Sequence, residues 1–519
     1  MSRPEFAPVA KPFRMFASLA LGSAVLGLTA GTASAQGAAP DPAGFSERLR
    51  PRIQMAGAPQ IWTLEARMEN YGVPGVALAI IDDGEIVYEA GFGVLQAGGD
   101  TPVNADSVFS VGSVSKVATA TLVLRLADEG YLDLDADVLE GMTSWSLPAE
   151  RDVAPGTPVP MRAILSHTAG FNIHGFADFQ PGEALPEAVD TLDGRAPAGN
   201  APLSREAPSG AGYRYSGGGY TLAQLLVADT MGEAFEDIAE LHLFEPLGLT
   251  RSTFSNPLPQ DLGNIARAHD RSGSPAALPR GYEAFPEMAA SGLWTSAHDL
   301  GGLTAALIDS YRGNGDALSR ARAVEMMTLV APSEHGLGPR LSGSAEHLIF
   351  HHGGSNESYR AWIEGHLATG DGLVILTNGT QGRLLIDEIR NAVADTMGWD
   401  LNRPVLASPI ALDPAELSGL TGTYAVDADF PGEIRRQMTG WIYEDDIEVR
   451  QNEDGSLIIG RAGGDSFSPL VPLAPNRFAM PGFRQTVGFA EFEFHRNALG
   501  EVTGLTFRLD DAASHYRPQ

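Results

Sequence analysis

Strand patterns at two distant places in the chain constrain its fold more than any other sequence feature. Residues 76–81 and 85–90 are β-rich and flank an Asp-Asp-Gly turn at 82–84, which predicts a β-hairpin. Three more strand patterns follow much later, at 348–352, 358–365 and 373–378. The region between them, about 131–340, has mostly helical patterns. We therefore predict an α/β (α+β) domain in which one sheet is built from both ends of the segment and a helical part is inserted.

The C-terminal part of the chain has a different pattern. Residues 403–414 contain three prolines and predict a linker. Residues 415–519 then show short strand patterns at turn spacing, which predicts an all-β module, either a small barrel or a half-barrel lid. The domain with the predicted sheet spans 51–402, and the Ala-, Pro- and Gly-rich residues 36–50 predict a flexible leader before it.

Residues 1–35 have the features of a secretory signal peptide. Three basic residues lie within the first 14 positions, an apolar run follows at 15–28, and Ala-Ser-Ala at 33–35 fits the cleavage pattern. The apolar run is short for a membrane span, although an uncleaved anchor is the alternative. We expect cleavage after Ala35 and a periplasmic or extracellular protein without a stable membrane anchor.

The composition excludes several classes of chemistry. The 519 residues include no cysteine, which excludes disulfides, a cysteine nucleophile and thiolate metal ligands. The formal net charge of -30 disfavours nucleic acid and anionic membranes as partners. The chain has two lysines, Lys11 and Lys116, and the first lies within the predicted signal peptide. Lys116 is therefore expected to be the single lysine of the mature protein.

Ser113 and Lys116 form the first candidate site. They are three residues apart at the start of a predicted helix, so their side chains share a face. A serine becomes a good nucleophile when a neighbour takes its proton. A lysine can lose its own proton to become that neighbour, whereas an arginine cannot. Such a pair also recurs by chance, but the single remaining lysine favours a catalytic interpretation over accidental drift in composition.

The second candidate site is Tyr-Arg-Tyr-Ser-Gly-Gly-Gly-Tyr at 213–220. Three glycines just before a predicted helix allow the backbone to approach another group closely. A tyrosine held at this point can act as an acid or a base. The alternative is a glycine turn with a packed tyrosine, and this stretch on its own favours that alternative.

The third candidate site is His-His-Gly-Gly-Ser-Asn at 351–356. Glycine next to a strand often marks a place where a ligand lies along the backbone. A backbone N–H at this position and the N–H of Ser113, at a helix N-terminus, could together form an oxyanion hole. A turn with a hydrogen-bonded histidine explains the same residues equally well.

The three sites, together with Leu-Ser-His-Thr-Ala-Gly at 165–170, occur in one order along the chain. This ordered set resembles the serine β-lactamase-related hydrolases, a group that includes class C β-lactamases, D-alanyl-D-alanine carboxypeptidases and esterases. The resemblance covers about 62–399. It implies a β-lactamase/transpeptidase-like antiparallel sheet flanked by helices, with an inserted helical domain and no requirement for a metal or cofactor.

The resemblance also implies catalytic roles for three residues. Ser113 is the expected nucleophile, which becomes acylated. Lys116 is its expected base partner, and Tyr215 is the expected second acid or base. The sequence leaves open whether Lys116 or Tyr215 is the principal base.

Further roles follow for the glycine-rich strand. His352 and Gly354 match the family motif that lines the pocket, and the N–H of Ser355 is the expected oxyanion donor. His167 lies in a motif that is structural in the family, so we expect it to pack rather than to react. The C-terminal module is similar to small β-barrel-like extensions of some of these hydrolases.

Two departures from the family pattern narrow the expected function. Gly217 stands where many relatives have an Asn that binds the acylamide of β-lactams and peptides. His352 replaces the lysine that is typical of true β-lactamases. We therefore expect an esterase or a D-alanyl peptidase-like enzyme acting on a small ester, peptide or β-lactam-like substrate. The alternative is a catalytically weak penicillin-binding-type protein with a binding or regulatory role in the cell envelope.

Rival mechanisms lack their motifs in this sequence. There is no Gly-x-Ser-x-Gly elbow, which an α/β-hydrolase would need, and no His-Glu-x-x-His zinc site. No glycine-rich nucleotide-binding motif lies between a predicted strand and a predicted helix. The number of subunits and the identity of the substrate stay open at this point.

Overall fold

A computed structural model provides the structure of the protein. It describes residues 41–519 apart from 58, 149–152, 177–184, 260, 279–280, 408–409, 411, 414–415, 418, 428–445, 465–466, 481–489 and 510–511. The predicted signal peptide and residues 36–40 of the predicted leader lie outside the described residues. None of the described helices combines the length and the apolar character that a membrane crossing requires.

The first half of the chain supplies two strands of the main sheet and most of the helices. Its elements are β1 (Ile53–Met55), α1 (Leu64–Tyr71), β2 (Gly75–Asp82), β3 (Glu85–Gly93), β4 (Phe109–Ser110), α2 (Ser115–Asp128), α3 (Val138–Gly141), α4 (Met161–Leu165), α5 (Ala188–Asp193), α6 (Gly217–Met231), α7 (Phe235–Ala239) and α8 (Glu245–Leu247). A π-helical turn, Glu240–Phe244, joins the last two helices.

The second half completes the sheet and forms the C-terminal module. Its elements are α9 (Met288–Ser291), β5 (Trp294–Thr295), α10 (Ala297–Arg312), α11 (Arg320–Met326), β6 (Arg340–Ser342), β7 (Ile349–Ser355), β8 (Arg360–His366), β9 (Gly372–Thr377), α12 (Gly382–Met397), β10 (Val405–Ala407), β11 (Gly422–Val426), β12 (Ile447–Gln451), β13 (Leu457–Arg461), β14 (Phe467–Ala474), β15 (Arg477–Met480), β16 (Ala490–Arg496), β17 (Val502–Leu509) and β18 (Ala512–Pro518).

The main sheet has six antiparallel strands in the order β3-β2-β9-β8-β7-β6. Strand β2 from the N-terminal side pairs with β9, which follows some 300 residues later, with Val76 opposite Thr377. The prediction of one sheet built from both ends is therefore confirmed.

The two faces of the sheet are covered by different helices. Alternate residues of a strand point to opposite faces. Thus Ala77 and Ala79 of β2 join the large core that contains α2 and α10, whereas Leu78 and Ile80 join a second core that contains α12. We call these the site face and the rear face. Both cores exclude water, so the sheet forms the rigid middle layer of the domain.

Helix α2 lies within the larger core. Most of its side chains are buried, because small and apolar residues surround the helix on all sides. Helix α6 is almost as deeply buried, and Ser216 caps it by accepting a hydrogen bond from the Gly219 N–H at 3.0 Å. The cap places the glycine run inside the first turn of α6, whereas the periodicity predicts a helix from residue 220 onward.

The C-terminal module is a closed eight-stranded barrel, β11 to β18, which confirms the prediction of an all-β module and decides for the barrel over the half-barrel lid. Its interior contains buried aliphatic and aromatic side chains, among them Phe478, Phe492 and Phe507. Alternating apolar residues along each strand produce this filled core.

Two predicted connecting segments are more ordered than expected. In the predicted leader, Pro42–Glu47 forms a 3-10 helix, and the fully buried Phe45 packs into the rear-face core. In the predicted linker, β10 pairs in parallel with β1. The prediction of a flexible leader is therefore wrong for residues 41–50, and the predicted linker contains a strand. Both segments are too short to have shown a periodic pattern.

Candidate active site

The turn that carries Ser113 is held firmly on both sides. Before it, Asn356 Nδ2 at the end of β7 donates to Ser110 Oγ at 2.5 Å. Gly112 has a φ of 49°, a conformation that favours glycine. Ser113 then lies in a single 3-10 turn, Gly112–Val114, directly before α2. The serine is only partly buried, so its hydroxyl is accessible from a rigid support.

Lys116 contacts Ser113 as the spacing predicts. The Nζ atom of Lys116 lies 3.3 Å from Ser113 Oγ and donates to the carbonyl oxygen of Ala290 at 2.7 Å. Lys116 is 2% exposed, so its amine is almost completely shielded from solvent. Helix α9, which supplies the Ala290 carbonyl, also accepts a hydrogen bond from Thr119 through the carbonyl of Ala289. The amine therefore has a fixed position next to the hydroxyl.

Tyr215 lies on the other side of this amine. The Lys116 Nζ atom is 4.8 Å from the centroid of the Tyr215 ring. The ring of His167 packs against Tyr215 with centroids 4.2 Å apart, and His167 Nδ1 accepts a hydrogen bond from the Ser216 N–H at 3.0 Å. His167 thus fixes both the ring of Tyr215 and the backbone that follows it, which agrees with a packing role.

Strand β7 packs its glycines directly against the serine turn. A Cβ atom added to Gly354 would overlap the carbonyl oxygen of Val111, and one added to Gly112 would lie 2.7 Å from the Ser355 backbone nitrogen. Since real Cβ atoms do not approach so closely, both positions require glycine. The structure therefore brings the backbone of Ser355 next to the residue that precedes Ser113.

His352 is buried beneath this contact and is uncharged. Its Nδ1 atom bonds to the Gly353 carbonyl oxygen at 2.8 Å, while its Nε2 atom has no hydrogen-bond partner among the described residues. Burial lowers the pKa of His352 well below its usual value, and the nearby His335, Arg340 and Lys116 lower it further. The histidine therefore does not supply the positive charge of the lysine that it replaces.

Gly217 is covered by the loop that precedes α5. Its N–H donates to the carbonyl oxygen of His174 at 3.0 Å, and a Cβ atom added to it would lie 3.0 Å from Phe176 Cε2. The loop thus occupies the space that the side chain of an Asn would need. The packing of the loop therefore leaves no room at residue 217 for the Asn side chain that binds an acylamide in many relatives.

The structure also brings together residues that the sequence analysis did not single out. His335 packs against the rings of His167, Tyr215 and His352, with centroid distances of 4.7, 6.0 and 5.8 Å. Burial lowers the pKa of His335 to about 4. Arg340, at the start of β6, has its guanidinium carbon 5.7 Å from the centroid of the Tyr215 ring. His335 lies in the irregular segment before β6, and the sequence around both residues has no periodic pattern.

The arrangement can support nucleophilic catalysis. It contains a partly exposed hydroxyl, a buried amine that contacts it, a phenol beside the amine and a close-packed glycine strand. Within the described part of the chain, no three His, Asp or Glu side chains are grouped to hold a metal ion.

Comparison with known proteins agrees with this geometry. The chain is 35% identical over 192 residues to penicillin-binding protein 4 of Amycolatopsis lactamdurans, covering 36% of this chain and 46% of the relative. It is 26% identical over 225 residues to lovastatin esterase of Penicillium rubens, covering 38% of this chain and 53% of the relative. The chain therefore spans about half the length of these curated relatives.

A solved structure shares the fold over a longer stretch. The octameric penicillin-binding protein homologue from Pyrococcus abyssi has a TM-score of 0.56 and 21% sequence identity, covering 87% of this chain and 99% of that chain. A family model described as Beta-lactamase matches residues 63–396, which is more than half of the sequence. Because that match includes the serine turn, the tyrosine segment and the glycine strand, the chain belongs to the β-lactamase family.

Proposed function

We propose that this protein is a serine hydrolase that cleaves an ester or amide bond through an acyl-enzyme on Ser113. The observation that carries the proposal is the 3.3 Å contact between Ser113 Oγ and the buried Nζ atom of Lys116, the only lysine among the described residues. A serine that reacts with a carbonyl must lose its proton as the new bond forms. The neighbouring amine is in contact with this hydroxyl and can accept its proton.

The proposed reaction has two halves. In the first, Ser113 Oγ attacks the substrate carbonyl carbon, and the hydroxyl proton passes to Lys116 or Tyr215. The bond to the leaving group then breaks, and the leaving group takes up that proton. In the second half, a water molecule gives a proton to the same base as it attacks the acyl carbon. The bond between that carbon and Ser113 Oγ then breaks, and Oγ takes the proton back from the base, which releases the acid and the free serine.

Two backbone groups are the proposed donors to the developing oxyanion. They are the N–H of Ser113, at the N-terminal end of a helix, and the N–H of Ser355, at the end of β7. The tight packing of Gly354 on Val111 and of Gly112 on Ser355 supports this assignment, because it keeps the two backbones in fixed contact. Fixed donors stabilise charge that develops in the transition state without having to reorganise.

The proposed substrates are esters or D-alanyl peptide-like amides rather than β-lactams. The loop residues His174 and Phe176 fill the space beside Gly217, which supports a site that does not require an acylamide in its substrate. His352 is buried and uncharged, unlike the lysine typical of true β-lactamases. The likeness to lovastatin esterase, a protein named for ester hydrolysis, points the same way.

A substrate panel on one purified sample tests this proposal. Short-chain nitrophenyl esters, nitrocefin and D-amino-acid peptides are compared for wild type and Ser113→Ala. We expect steady turnover of the esters that disappears in the variant. Turnover that survives in Ser113→Ala contradicts the proposal. A single burst without further turnover supports instead the alternative of a penicillin-binding-type protein that is acylated but releases its product poorly.

We also propose that residues 1–35 direct export and are removed after Ala35. The basic start, the apolar run and the Ala-Ser-Ala site support this proposal. Mass spectrometry of the protein recovered from a bacterial periplasm should show a mature chain that begins at Gln36. A chain that keeps residue 1 and sediments with membranes contradicts it.

A further inference from the structure

The short helix α9 binds two side chains of α2 through consecutive carbonyl groups. Carbonyl groups in the last turn of a helix have no partner within that helix. The Ala290 carbonyl oxygen accepts a hydrogen bond from Lys116 Nζ at 2.7 Å, and the Ala289 carbonyl oxygen accepts one from Thr119 Oγ1 at 2.9 Å. Lys116 and Thr119 are three residues apart, so they lie on one face of α2. The position of α9 is therefore linked directly to that of the amine.

Helix α6 also holds α9, through the side chain of Gln224. Its Oε1 atom accepts a hydrogen bond from the Ala289 N–H at 3.1 Å, and its Nε2 atom donates to the Pro286 carbonyl oxygen at 3.3 Å. Gln224 is 4% exposed and Thr119 is fully buried, so water does not compete for their hydrogen bonds. Ala289 is therefore fixed through both of its backbone polar groups, the N–H by Gln224 and the carbonyl by Thr119.

The far end of the same segment is tied to the serine turn. The Leu293 N–H donates to Ser115 Oγ at 2.9 Å, and this hydroxyl donates to the Gly112 carbonyl oxygen at 2.6 Å. These bonds limit how far α9 can move as a whole. Loss of the Thr119 contact should therefore turn the Ala290 carbonyl locally and not displace the whole segment.

The contact with Ala290 orients the Lys116 amine. An unprotonated amine has two N–H bonds and one lone pair. When one N–H bond points to the Ala290 carbonyl, rotation of the amine is restricted and its lone pair is free to face Ser113 Oγ, 3.3 Å away. Proton transfer needs this direct approach of the base to the hydroxyl. A misplacement of about 1 Å at such a group can cost about 100-fold in rate.

We propose that Gln224 and Thr119 are positioning residues for Lys116 as the base. They fix Ala289, and this keeps the neighbouring Ala290 carbonyl in the place from which it orients the amine toward the serine. Both residues act through α9 and not through contact with the substrate. The inference rests on the proposed function and deepens it, because it makes the hydrogen bonds of α9 a condition for the first proton transfer.

A matched pair of threonine variants tests the proposal. Thr119→Val keeps the branched shape of the side chain and removes the hydroxyl that binds α9. Thr121→Val makes the same change at a residue that is equally buried, where the hydroxyl donates to the Val117 carbonyl of its own helix at 2.8 Å. With a short-chain nitrophenyl ester, Thr119→Val should lower kcat by about 10- to 100-fold and leave KM within about twofold. Thr121→Val should keep kcat within about twofold, because it has no contact with α9.

Two more variants and a stability measurement separate positioning from structure. Thr119→Ser restores the hydroxyl and should recover most of the lost kcat. Gln224→Met keeps an unbranched side chain, removes both hydrogen bonds to α9 and should lower kcat as Thr119→Val does. It lies on a different helix, so it replaces Thr119→Val if that variant does not fold. Urea unfolding should show similar stability for Thr119→Val and Thr121→Val, since each loses one buried hydroxyl-to-carbonyl bond.

A double-mutant cycle with Lys116→Ala gives the decisive readout. If Thr119 acts through the amine, Thr119→Val should lower kcat in the presence of Lys116 and change it by less than about twofold once the amine is absent. A threonine that only supports the fold would cost the same factor in both backgrounds. If the enzyme is acylated without turnover, the rate of labelling by a fluorophosphonate probe replaces kcat in the same cycle.

The outcomes distinguish the two proposals. Equal losses in both backgrounds, or full kcat in both Thr119→Val and Gln224→Met, overturn the positioning role while the serine hydrolase proposal stands. If wild type hydrolyses no ester and is not labelled on Ser113 by the probe, the proposed function fails, and this inference fails with it.

Discussion

His335 and His352, on the site face of the main sheet, behave in the opposite way to His366, on the rear face. On the site face, His335 and His352 are buried near Lys116, and burial lowers the pKa of each. On the rear face, burial alone would lower the pKa of His366, but the carboxylates of Asp371 and Glu364 outweigh it and raise the pKa. The imidazole is therefore uncharged at His335 and His352 but favours its charged form at His366. His351, which stacks on Trp362 of the rear face, is uncharged as well, because burial lowers its pKa to about 3.

The difference lies in whether the buried charged groups on each face are paired with groups of opposite charge. On the rear face, Arg390 donates to Glu364 from Nη2 at 2.6 Å and from Nε at 2.9 Å, and the indole of Trp362 donates to the same carboxylate. On the site face, the partners of Lys116 are a hydroxyl and a carbonyl, with no carboxylate in contact among the described residues. A cluster in which buried charges are paired with opposite charges contributes to structure, whereas an amine without a carboxylate partner is available for chemistry.

Removing the amine should have the largest effect on the site face. Lys116→Ala is expected to lower kcat by about 10³-fold, a typical contribution of a general base. Lys116→Arg keeps the charge but cannot give up a proton, so a similar loss is expected. Steady-state ester hydrolysis measures both. Near-full activity of Lys116→Arg would mean that Lys116 acts only as a charge, and Tyr215 would become the base.

Breaking the paired cluster should instead affect stability. Glu364→Gln leaves the buried Arg390 without its carboxylate and should cost about 3 kcal/mol in the free energy of unfolding. The matched control is Asp83→Asn, which breaks an exposed pair with Arg312 and should cost less than about 1 kcal/mol. Urea unfolding followed by tryptophan fluorescence reports both. Equal costs for the two variants would contradict the distinction between the faces.

The glycine contact beneath the proposed oxyanion hole can be tested separately. Gly354→Ala forces the Val111 turn and β7 apart, and a displacement of about 1 Å at a reacting group can cost about 100-fold in rate. Gly212→Ala is the control, because a Cβ atom added there meets no atom within 4 Å. We expect loss of ester hydrolysis in the first variant only. Full activity of Gly354→Ala would remove Ser355 from the proposed site.

His335 and His366 should give opposite pH dependence of stability. The pKa of His335 is about 4 in the folded protein against 6.5 for the free group. Its effect on stability is therefore absent above about pH 6.5 and becomes unfavourable as the pH falls, reaching about 2 kcal/mol at pH 5. His335→Asn should remove this loss, so the variant should be less sensitive to acid than wild type in urea unfolding at pH 8 and pH 5.

His366 provides the contrasting measurement. Because its folded pKa is raised, its favourable contribution is complete below about pH 6.5 and is lost as the pH rises through the folded pKa. His366→Gln should therefore destabilise the protein more at pH 5 than at pH 9. The same sign for both histidine variants would show that burial alone, and not the surrounding charge, governs them.

Local patterns explain why much of the fold could be predicted from the sequence. The turn at 82–84 defined the hairpin of β2 and β3, and the spacing of Ser113 and Lys116 implied their contact. Strand β10 could not be predicted in this way, since its three residues are ordered by pairing with β1 far away in the chain. Phe45 similarly becomes buried because α12 and the rings of Tyr88 and Phe92 lie beside it.

The part of the candidate site that could not be predicted also depends on contacts between residues far apart in the chain. His335 and Arg340 lie in a hairpin at 334–341 whose backbone bonds depend on turn geometry rather than on a repeating pattern. Their importance becomes visible only when Tyr215, more than a hundred residues earlier, packs beside them. Gly217 could be recognised from the sequence as a departure from the family pattern. The packing of His174 and Phe176 over it could not be predicted.

Covalent labelling of Ser113 tests the central claim most directly. Wild type, Ser113→Ala and Ser355→Ala are treated with a fluorophosphonate probe, and the labelled peptide is identified by mass spectrometry. We predict labelling of wild type on Ser113, and of Ser355→Ala as well, because that variant keeps its backbone N–H. Ser113→Ala should not be labelled. Labelling that persists in Ser113→Ala, or that maps to another residue in wild type, would contradict the account.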